Sequence, residues 1–582
     1  MKNYGIVVML IWCMAQTLVK AQSNAPLGGT IPQESVYVHY TESTLFSGEK
    51  LWYKFYGLNK ATKKLTEISK IGYVALVASN GEVVFEHKLQ LHLGAGYGDF
   101  FVPASLPTGP YKLLGYTEWM RNFGADRFFQ ADIFIINPYQ TLPEAYVAKT
   151  VDSVQPVVLS RNNVTQESND SPFVNVSLDK TVAEKRERVE VAIEGTNVLV
   201  EGGTYSISVR LKDTVSFGGP SSPELFFRNM NQTQQRVTGT NSKTLYFPEI
   251  RGEVISGTIL DKGSQTPVEN QKITLSLPGE DYQLKVATSD GNGRFSFILD
   301  KAYNSTQAFL QLLSGDKDQY EINLDAKQRK YAELNFSEFG IGPEMEKAIL
   351  ERSVHNQVEN AYGEIRMDSV IQFKPNVPFY RNLPIVYDLD AYTRFNTLAE
   401  TIIEVTDHLS IKTFEDGHRV FEVRPNVGLP NDNLTAMVFV DGLFLKNHED
   451  FMGYSAKKVK SISFSRDEVM LGSQIFQGVL HFKTLDGNFY REFYSDEMEN
   501  VALFRPEVQK VYFTQAYKGN GDQNRVPDFR HQLLWEPTLD LSEEKKELVF
   551  YTSDVAGTYE LVLEGFTSNG NPVSVKRSII VR

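Results

Sequence analysis

The sequence predicts a mainly β protein, a multidomain string of β-sandwiches that includes one small α+β domain. Three observations predict this class. The chain has 582 residues, which at roughly 150 residues per domain corresponds to about four domains. Hydrophobic residues make up 41% and aromatic residues 12% of the composition, enough apolar material for packed cores. Short runs of strand-forming residues also recur between Gly, Asn and Pro turns, as they do in sandwiches.

The first residues are typical of a secretory signal peptide, which we assign to residues 1–21. Lys2 supplies a positive start, an apolar run covers residues 6–15, and Val19-Lys20-Ala21 fits a cleavage site. The run of about ten residues is shorter than the about 20 needed to cross a bilayer. Cleavage would remove Cys13, the single cysteine, so we expect a cysteine-free mature chain. We therefore expect an exported, periplasmic protein associated with the outer membrane, with the cell surface as the alternative.

The first sandwich is predicted at residues 30–140. Strand-like runs lie at residues 36–40, 51–56, 72–77 and 134–136. Residues 47–53 and 106–113 resemble two signatures of the macroglobulin-like (MG2-type) β-sandwich of alpha-2-macroglobulins, and residues 116–122 resemble a variant found in envelope proteins of Bacteroidota. A generic immunoglobulin-like sandwich is the alternative, with the same fold consequence. A second macroglobulin-like sandwich is expected at residues 150–249, after a polar linker at residues 162–171.

Residues 250–330 are predicted to form a third sandwich of another kind. Three segments, residues 254–261, 266–275 and 289–297, resemble the carboxypeptidase regulatory-like domain, which is a transthyretin-like sandwich. The resemblance implies no peptidase activity, because this module lacks the catalytic metal site. The sequence Asp290-Gly291-Asn292-Gly293 invites a calcium-loop interpretation, but a tight turn explains the glycines better.

A helical connector and an α+β domain are predicted at residues 331–490. The first helix covers residues 343–360 and places Met345, Ile349 and Val358 on one stripe. A second helix begins at the capping box formed by Thr397 and Glu400.

Three segments of this region, residues 437–443, 456–464 and 471–484, resemble the plug domain of TonB-dependent receptors. The resemblance rests on a strand that ends at Asp441-Gly442 and on a strand that contains Gly478. An ordinary α+β module built on a β-hairpin at Asp441-Gly442 is the alternative. The receptor's barrel needs over about 200 residues in strands, and fewer than about 100 follow Thr484, so we expect a plug-like domain without the barrel. Residues 491–582 are expected to form a C-terminal sandwich.

The search for reactive residues predicts no enzyme and no cofactor. None of the nine histidines lies in an H-E-x-x-H pattern, and the sequence contains no G-x-S-x-G elbow and no G-x-x-x-x-G-K-[ST] phosphate loop. We therefore expect no catalytic residue and no metal site. The formal net charge of −13 also argues against nucleic acid as a partner.

The expected function is that of a non-enzymatic envelope adaptor or scaffold, which binds an outer-membrane transporter or another envelope protein through strand edges and loops. Membrane association would come only through such partners. The alternative is a glycan or nutrient binding module beside a TonB-dependent transporter, with Trp52, Trp119 and Trp535 stacking on sugar faces, although core packing explains these tryptophans more easily. The candidate interaction residues are Trp52, Trp119, Arg121, Asp441, Gly442 and Gly478.

Overall fold

The computed structural model describes most of the chain. The described residues are 32–147, 170–196, 200–212, 215–232, 246–313, 317–325, 331, 334–372, 378, 380, 383–428, 431, 434–493, 495, 497–517, 525–543 and 545–582. The predicted signal peptide and nearly all of the predicted polar linker lie outside these residues. No helix within the described part is both long and apolar enough to cross a membrane.

The described chain consists mainly of β-strands. In chain order these are β1 Glu34–Tyr40, β2 Thr44–Phe46, β3 Lys50–Asn59, β4 Ile71–Ala78, β5 Val83–Gln90, β6 Ala95–Phe101, β7 Gly109–Tyr116, β8 Phe129–Ile136, β9 Val174–Leu178, β10 Val182–Ala183, β11 Arg188–Gly195, β12 Thr204–Leu211, β13 Glu253–Asp261, β14 Lys272–Leu277, β15 Gln283–Thr288, β16 Arg294–Leu299, β17 Gln307–Leu312, β18 Tyr320–Leu324, β19 Ser369–Val370, β20 Ile385–Asp388, β21 Leu409–Thr413, β22 Arg419–Val423, β23 Met437–Val440, β24 Leu443–Leu445, β25 Val459–Leu471, β26 Gln474–Thr484, β27 Met498–Ala502, β28 Lys510–Val511, β29 Gln532–Leu539, β30 Lys545–Tyr551, β31 Gly557–Phe566 and β32 Pro572–Val581. The α-helices are α1 Pro223–Gln232, α2 Glu346–Ala361, α3 Leu398–Val405, α4 Glu449–Met452 and α5 Phe489–Glu492. The predicted fold class is confirmed.

The first sandwich packs a three-stranded sheet, β1-β3-β6, against a five-stranded sheet, β2-β8-β7-β4-β5. Side chains alternate between the two faces of a strand. On β3, Leu51, Tyr53 and Phe55 point into the core of the sandwich. Trp52 and Lys54 therefore lie on the opposite face, which other parts of the chain cover. The β3 strand is thus buried on both sides.

The second sandwich is built from two distant segments of the chain, residues 174–211 and 532–581. One sheet has the order β10-β32-β31-β12-β29 and the other the order β30-β11-β9. Residues 204–211 thus pair directly with residues 532–539 and 557–566. The sequence analysis expected separate sandwiches at residues 150–249 and 491–582, and the structure joins their strands in one. Neither set of four strands closes two sheets alone, so each set buries its apolar face only against the other.

Two modules are inserted between these halves. A sandwich with the sheets β16-β13-β18 and β15-β14-β17-β27 follows β12. Its Asp290 carboxylate accepts hydrogen bonds from the amides of Asn292 and Arg294, and Gly293 has φ of +71°, as in a tight turn. The α+β domain follows, with the mixed sheet β20-β25-β26-β23-β24.

The two predicted helices form, with one difference on the first. The capping box at α3 is confirmed, because the Glu400 amide donates to Thr397 Oγ1 and the Thr397 amide donates to Glu400 Oε2. Helix α2 is preceded by a single 3-10 turn, Pro343–Met345. We expected an apolar stripe to be the buried face of α2. The buried residues of α2 are instead polar: Arg352, Ser353 and Asn356. A polar face is buried because it meets a charged partner on the first sandwich, described below.

Candidate functional site

The outer face of the β1-β3-β6 sheet packs on the second sandwich through polar contacts. The Tyr37 hydroxyl donates to Glu564 Oε2 at 2.6 Å. His39 Nδ1 lies 2.6 Å from Ser206 Oγ. Lys54 Nζ donates to Thr204 Oγ1 at 2.7 Å and to a backbone carbonyl at 2.8 Å. The two sandwiches are therefore joined by specific hydrogen bonds between buried groups.

Two of these buried groups have strongly shifted pKa values. Burial, with a smaller contribution from Lys54, lowers the pKa of His39 to about 3. Burial also lowers the pKa of Lys54 to about 7. The imidazole is thus neutral at physiological pH, and the amine titrates near neutrality.

A cavity of about 560 Å³ opens beside this interface. Four parts of the chain line it: the outer face of β3 and β6 with the turn before β3, Arg210 of β12, the polar face of α2 with the residues that follow it, and residues from 510 to 535. Cavities of roughly 300–1,000 Å³ hold small ligands and occur preferentially between domains. The site exists only because both ends of the chain meet.

Two of the three tryptophans outside the predicted signal peptide line this cavity. Trp52 lies on β3, and Trp535 lies on β29 opposite Ser208, on the face of its sheet turned toward the first sandwich. The sequence analysis considered both as sugar-stacking candidates and did not place them together. Trp535 is only 4% exposed. The cavity thus has an aromatic wall made from two sandwiches.

Four lining residues carry a buried polar atom without a hydrogen-bond partner among the described residues. They are Nε1 of Trp52, Nε1 of Trp535, Nε of Arg366 and Oε1 of Gln532. An unsatisfied buried polar group costs about 1–3 kcal/mol. The four are among the nine such atoms in the described part of the chain, and a ligand in the cavity is one source of the missing partners.

A buried ion pair forms one wall of the cavity. The Arg352 guanidinium on α2 donates to both carboxylate oxygens of Glu49, at 2.8 and 2.7 Å, and Arg210 Nη2 lies 3.7 Å from the same carboxylate. Burial favours the neutral acid, but Arg352 and Arg210 outweigh it and lower the pKa of Glu49 to about 2. The pair attaches α2 to the first sandwich and fixes this wall.

Two further ion pairs lie nearer to solvent. Lys50 Nζ is 2.9 Å from Asp368 Oδ2, and Lys510 Nζ is 2.7 Å from Asp99 Oδ1. Their side chains stay 35% and 28% exposed. Asp99 lies directly opposite Trp52 in the β3–β6 register. Both ammonium groups are therefore near the Trp52 ring and accessible to a ligand.

The wall near the end of α2 holds a fourth ion pair and a pair of histidines. Arg366 contacts Glu359 through Nη1, and burial raises the pKa of Glu359 despite this contact. His355 Nδ1 lies 3.2 Å from His531 Nε2, and the His355 ring stacks on Phe529 at 4.6 Å between centroids. No cluster of three or more metal-ligating side chains occurs in the described part of the chain.

The mouth of the cavity is apolar. Phe101, Met367 and Val370 line it and are 47%, 70% and 58% exposed. Exposed apolar side chains around one opening indicate a contact surface more than isolated ones do. The cavity thus combines ion-paired walls, an aromatic face and an apolar mouth.

Trp119 and Arg121 lie away from this cavity. Both belong to the 3-10 helix Glu118–Phe123. The Trp119 indole donates to the Pro32 carbonyl at 2.7 Å. Arg121 pairs with Glu118 at 2.8 Å and lies over the ring of Tyr246, 3.9 Å from its centroid. These contacts give both residues a role in holding segments of the fold together.

Asp441, Gly442 and Gly478 form parts of the framework of the α+β domain. Asp441 and Gly442 make the turn between β23 and β24, with φ of +47° and +82°, as in the hairpin alternative. The Asp441 carboxylate accepts from the Thr484 amide and hydroxyl and from the Phe489 amide. Gly478 has φ of +80°, and a Cβ there would lie 2.6 Å from the Ser465 carbonyl oxygen.

Most residues that line the cavity, including Lys50, Arg352 and Lys510, were not identified from the sequence. One signal for the β3 face was present, because hydrophobic and aromatic residues occupy both faces of β3 in the run Leu51 to Phe55. Such a strand is covered on both sides. No local pattern identifies what covers it.

Comparisons with known proteins give only remote similarities. No family model matches the sequence, and no curated protein matches it. A Salmonella alpha-2-macroglobulin reacted with methylamine aligns at 9% identity and a TM-score of 0.23, over 94% of this chain and 39% of that one. The native conformation of the Escherichia coli alpha-2-macroglobulin aligns at 9% identity and a TM-score of 0.23, over 96% of this chain and 40% of that one. The Yersinia pseudotuberculosis adhesin InvE aligns over 51% of this chain and 60% of that one, at 10% identity and a TM-score of 0.14. This chain thus spans about two fifths of the length of the two macroglobulins.

Proposed function

We propose that this chain is an exported, non-enzymatic binding protein of the bacterial envelope that holds a glycan or nutrient in the cavity between its two sandwiches. Its macroglobulin-like sandwiches carry the site together with helix α2, and its plug-like domain connects it to a transporter. The bound ligand would be presented to that transporter. No reaction is part of this function.

The observation that carries the proposal is the meeting of Trp52 and Trp535 on one cavity. Both indole Nε1 atoms are buried without a partner among the described residues. A tryptophan in an ordinary core is satisfied by its neighbours. Two unsatisfied indoles in one cavity wall favour ligand binding over the core-packing interpretation.

Tryptophan fluorescence of the purified protein tests the proposal. A panel of neutral sugars, acidic sugars, amino acids and short peptides is titrated while emission is recorded. Trp119→Phe is the matched control, because it removes the tryptophan outside the cavity and leaves both cavity indoles in place. We expect a ligand to shift the emission of the parent and of Trp119→Phe equally, and to bind Trp52→Phe at least about tenfold more weakly.

The proposal also predicts that such a ligand raises the melting temperature of the parent and of Trp119→Phe. A panel without any effect on emission or on melting temperature contradicts the proposed function. Equal weakening of binding by Trp52→Phe and Trp119→Phe contradicts the cavity as the site.

An adaptor function is the second candidate, and one observation favours it. Strand β20 is the outer strand of its sheet and pairs with β25 alone among the described strands. An exposed edge strand can accept an added strand from a partner. Val386 on β20 is strongly exposed.

Crosslinking in native envelopes tests the adaptor function. Val386→Lys should abolish capture of an outer-membrane partner, because an edge lysine opposes strand addition. Val427→Lys, at another exposed valine of the same domain, should leave capture intact. Equal capture by both variants contradicts partner binding at β20.

A further inference from the structure

The charges that line the cavity differ in sign from those of the chain as a whole. The protein carries 72 acidic and 59 basic residues. Among the lining residues, the basic ones are Lys50, Arg210, Arg352, Arg366, Lys510 and Arg530, and the acidic ones are Glu49, Glu359 and Asp368. Each of these cations has an acidic partner, and three of the partners, Glu42, Asp99 and Asp528, are not among the lining residues. The surface that a ligand meets is therefore more positive than the rest of the protein.

The buried polar atoms without a hydrogen-bond partner also favour a ligand with acceptor groups. Three of the four, on Trp52, Trp535 and Arg366, are donors, and only Gln532 Oε1 is an acceptor. A complementary ligand is therefore rich in acceptor oxygens. Carboxylates and sugar oxygens are both acceptors of this kind.

The accessible cations lie around an aromatic face. In the β3–β6 register, Lys50 lies opposite Phe101 and Trp52 lies opposite Asp99, so these four side chains share one face. Lys510 lies above Asp99, to which it is bonded at 2.7 Å. Trp52 and Phe101 thus share a sheet face with Lys50, and Lys510 is bonded to the acid on that face.

On these three observations, and resting on the proposed function, we infer that the ligand is an acidic carbohydrate, a sugar that carries a carboxylate. The C–H face of the sugar ring packs on Trp52 and Phe101. Its carboxylate binds Lys50 and Lys510, and its hydroxyl oxygens accept hydrogen bonds from the donors of the wall near the end of α2. A carboxylate between two ammonium groups forms charge-assisted hydrogen bonds, the strongest kind available here.

The test measures binding of three probes to the full-length protein, by calorimetry or by tryptophan emission. The probes are trigalacturonate, the neutral galactotriose of similar size, and hexanoate, which is a carboxylate without a sugar ring. We expect trigalacturonate to bind at least about tenfold more tightly than either of the others, because two charge-assisted contacts and ring packing act together only in that probe.

Variants assign the carboxylate to its site. Lys50→Gln and Lys510→Gln should each weaken trigalacturonate binding by about tenfold or more, and should leave galactotriose binding unchanged. Lys285→Gln is the matched control, because Lys285 is also ion-paired, with Asp300, and lies in the inserted sandwich. It should bind all three probes as the parent does.

The outcomes separate this inference from the proposed function. Equal or tighter binding of galactotriose, or binding of hexanoate as tight as that of trigalacturonate, overturns the acidic sugar and leaves the binding function standing. If a ligand from the wider panel binds and trigalacturonate does not, the inference is overturned and the binding function stands. Failure of every panel member to bind contradicts both.

Discussion

Charged residues are buried where the first sandwich meets helix α2 and where it meets the second sandwich. These residues have large effects on the free energy of unfolding. Arg352 is 2% exposed and has its neutralising partner, Glu49, on another element. Its guanidinium also lies 4.4 Å from the centroid of the Phe46 ring. Removing Arg352 leaves the buried Glu49 carboxylate without its bidentate partner and with Arg210, 3.7 Å away, as its remaining cation among the described residues.

Arg352→Met should therefore lower the free energy of unfolding by about 3–5 kcal/mol. Arg188→Met, which breaks an exposed pair with Glu190, should change it far less, because water screens an exposed ion pair. Urea unfolding followed by circular dichroism measures both. Similar losses in the two variants would show that the Glu49 pair is not special.

Lys54 gives a prediction with a defined pH window. Its pKa is about 7 in the folded protein and near its ordinary 10.5 when unfolded, so between these values the unfolded chain binds more protons. Stability contributed by this group therefore rises with pH from about 7 upward. The penalty of the buried charge is fully present below pH 7.

Urea midpoints measured from pH 6.5 to 9.5 test the Lys54 prediction. Lys54→Met should flatten the rise, because it removes the titrating amine. The exposed Lys212→Met variant should keep the slope of the parent. A parent curve that falls over this range, or an unchanged slope in Lys54→Met, contradicts the assignment.

At the scale of the element, the hairpin of β23 and β24 shows how a local signal acquires a packing role. The Asp441-Gly442 turn could be predicted from sequence, since both residues tolerate positive φ. Its contact with the inserted sandwich could not be predicted. The Gly279 amide donates to the Asp441 carbonyl, and a Cβ on Gly442 would lie 2.3 Å from Tyr282 Cβ.

Gly442→Ala should therefore destabilise the protein by more than Gly417→Ala does. Both glycines have positive φ, +82° and +88°, but a Cβ on Gly417 meets nothing within 4 Å. Gly417→Ala should lower the free energy of unfolding by about 1 kcal/mol, because alanine is strained at positive φ. Gly442→Ala should lower it by this amount and by the further cost of the steric clash with Tyr282. Thermal unfolding compares the two, and an equal loss would contradict the contact with Tyr282.

Sequence and structure agree most closely for such local features. Strand positions follow from alternation, and the capping box at Thr397 follows from local hydrogen bonding. The polar inner face of α2 did not follow, because an amphipathic pattern identifies only apolar faces and Arg352 needs a partner about 300 residues away. Trp52 was a candidate from the sequence and lines the cavity, but nothing near it in sequence points to Trp535.

At the scale of the whole molecule, the second sandwich determines where the functional surfaces lie. Strand β12 pairs with β29 across the two inserted modules. Local periodicity does not show which distant strands pair. Strands β9–β12 and strands β29–β32 were therefore expected to form separate domains. Joining them places β29 against the first sandwich and creates the cavity.

The pairing of β11 with β30 offers the most direct test of this architecture. Glu190 and Val549 are partners in that register. In a Cys13→Ser background, Glu190→Cys with Val549→Cys should form an intramolecular disulfide under mild oxidation, seen by mass spectrometry as one peptide joining residues 190 and 549. Glu190→Cys with Glu560→Cys, whose second position lies on the opposite sheet, should not form it. Absence of the first crosslink, or its formation only between molecules, would contradict a sandwich built from residues 174–211 and 532–581.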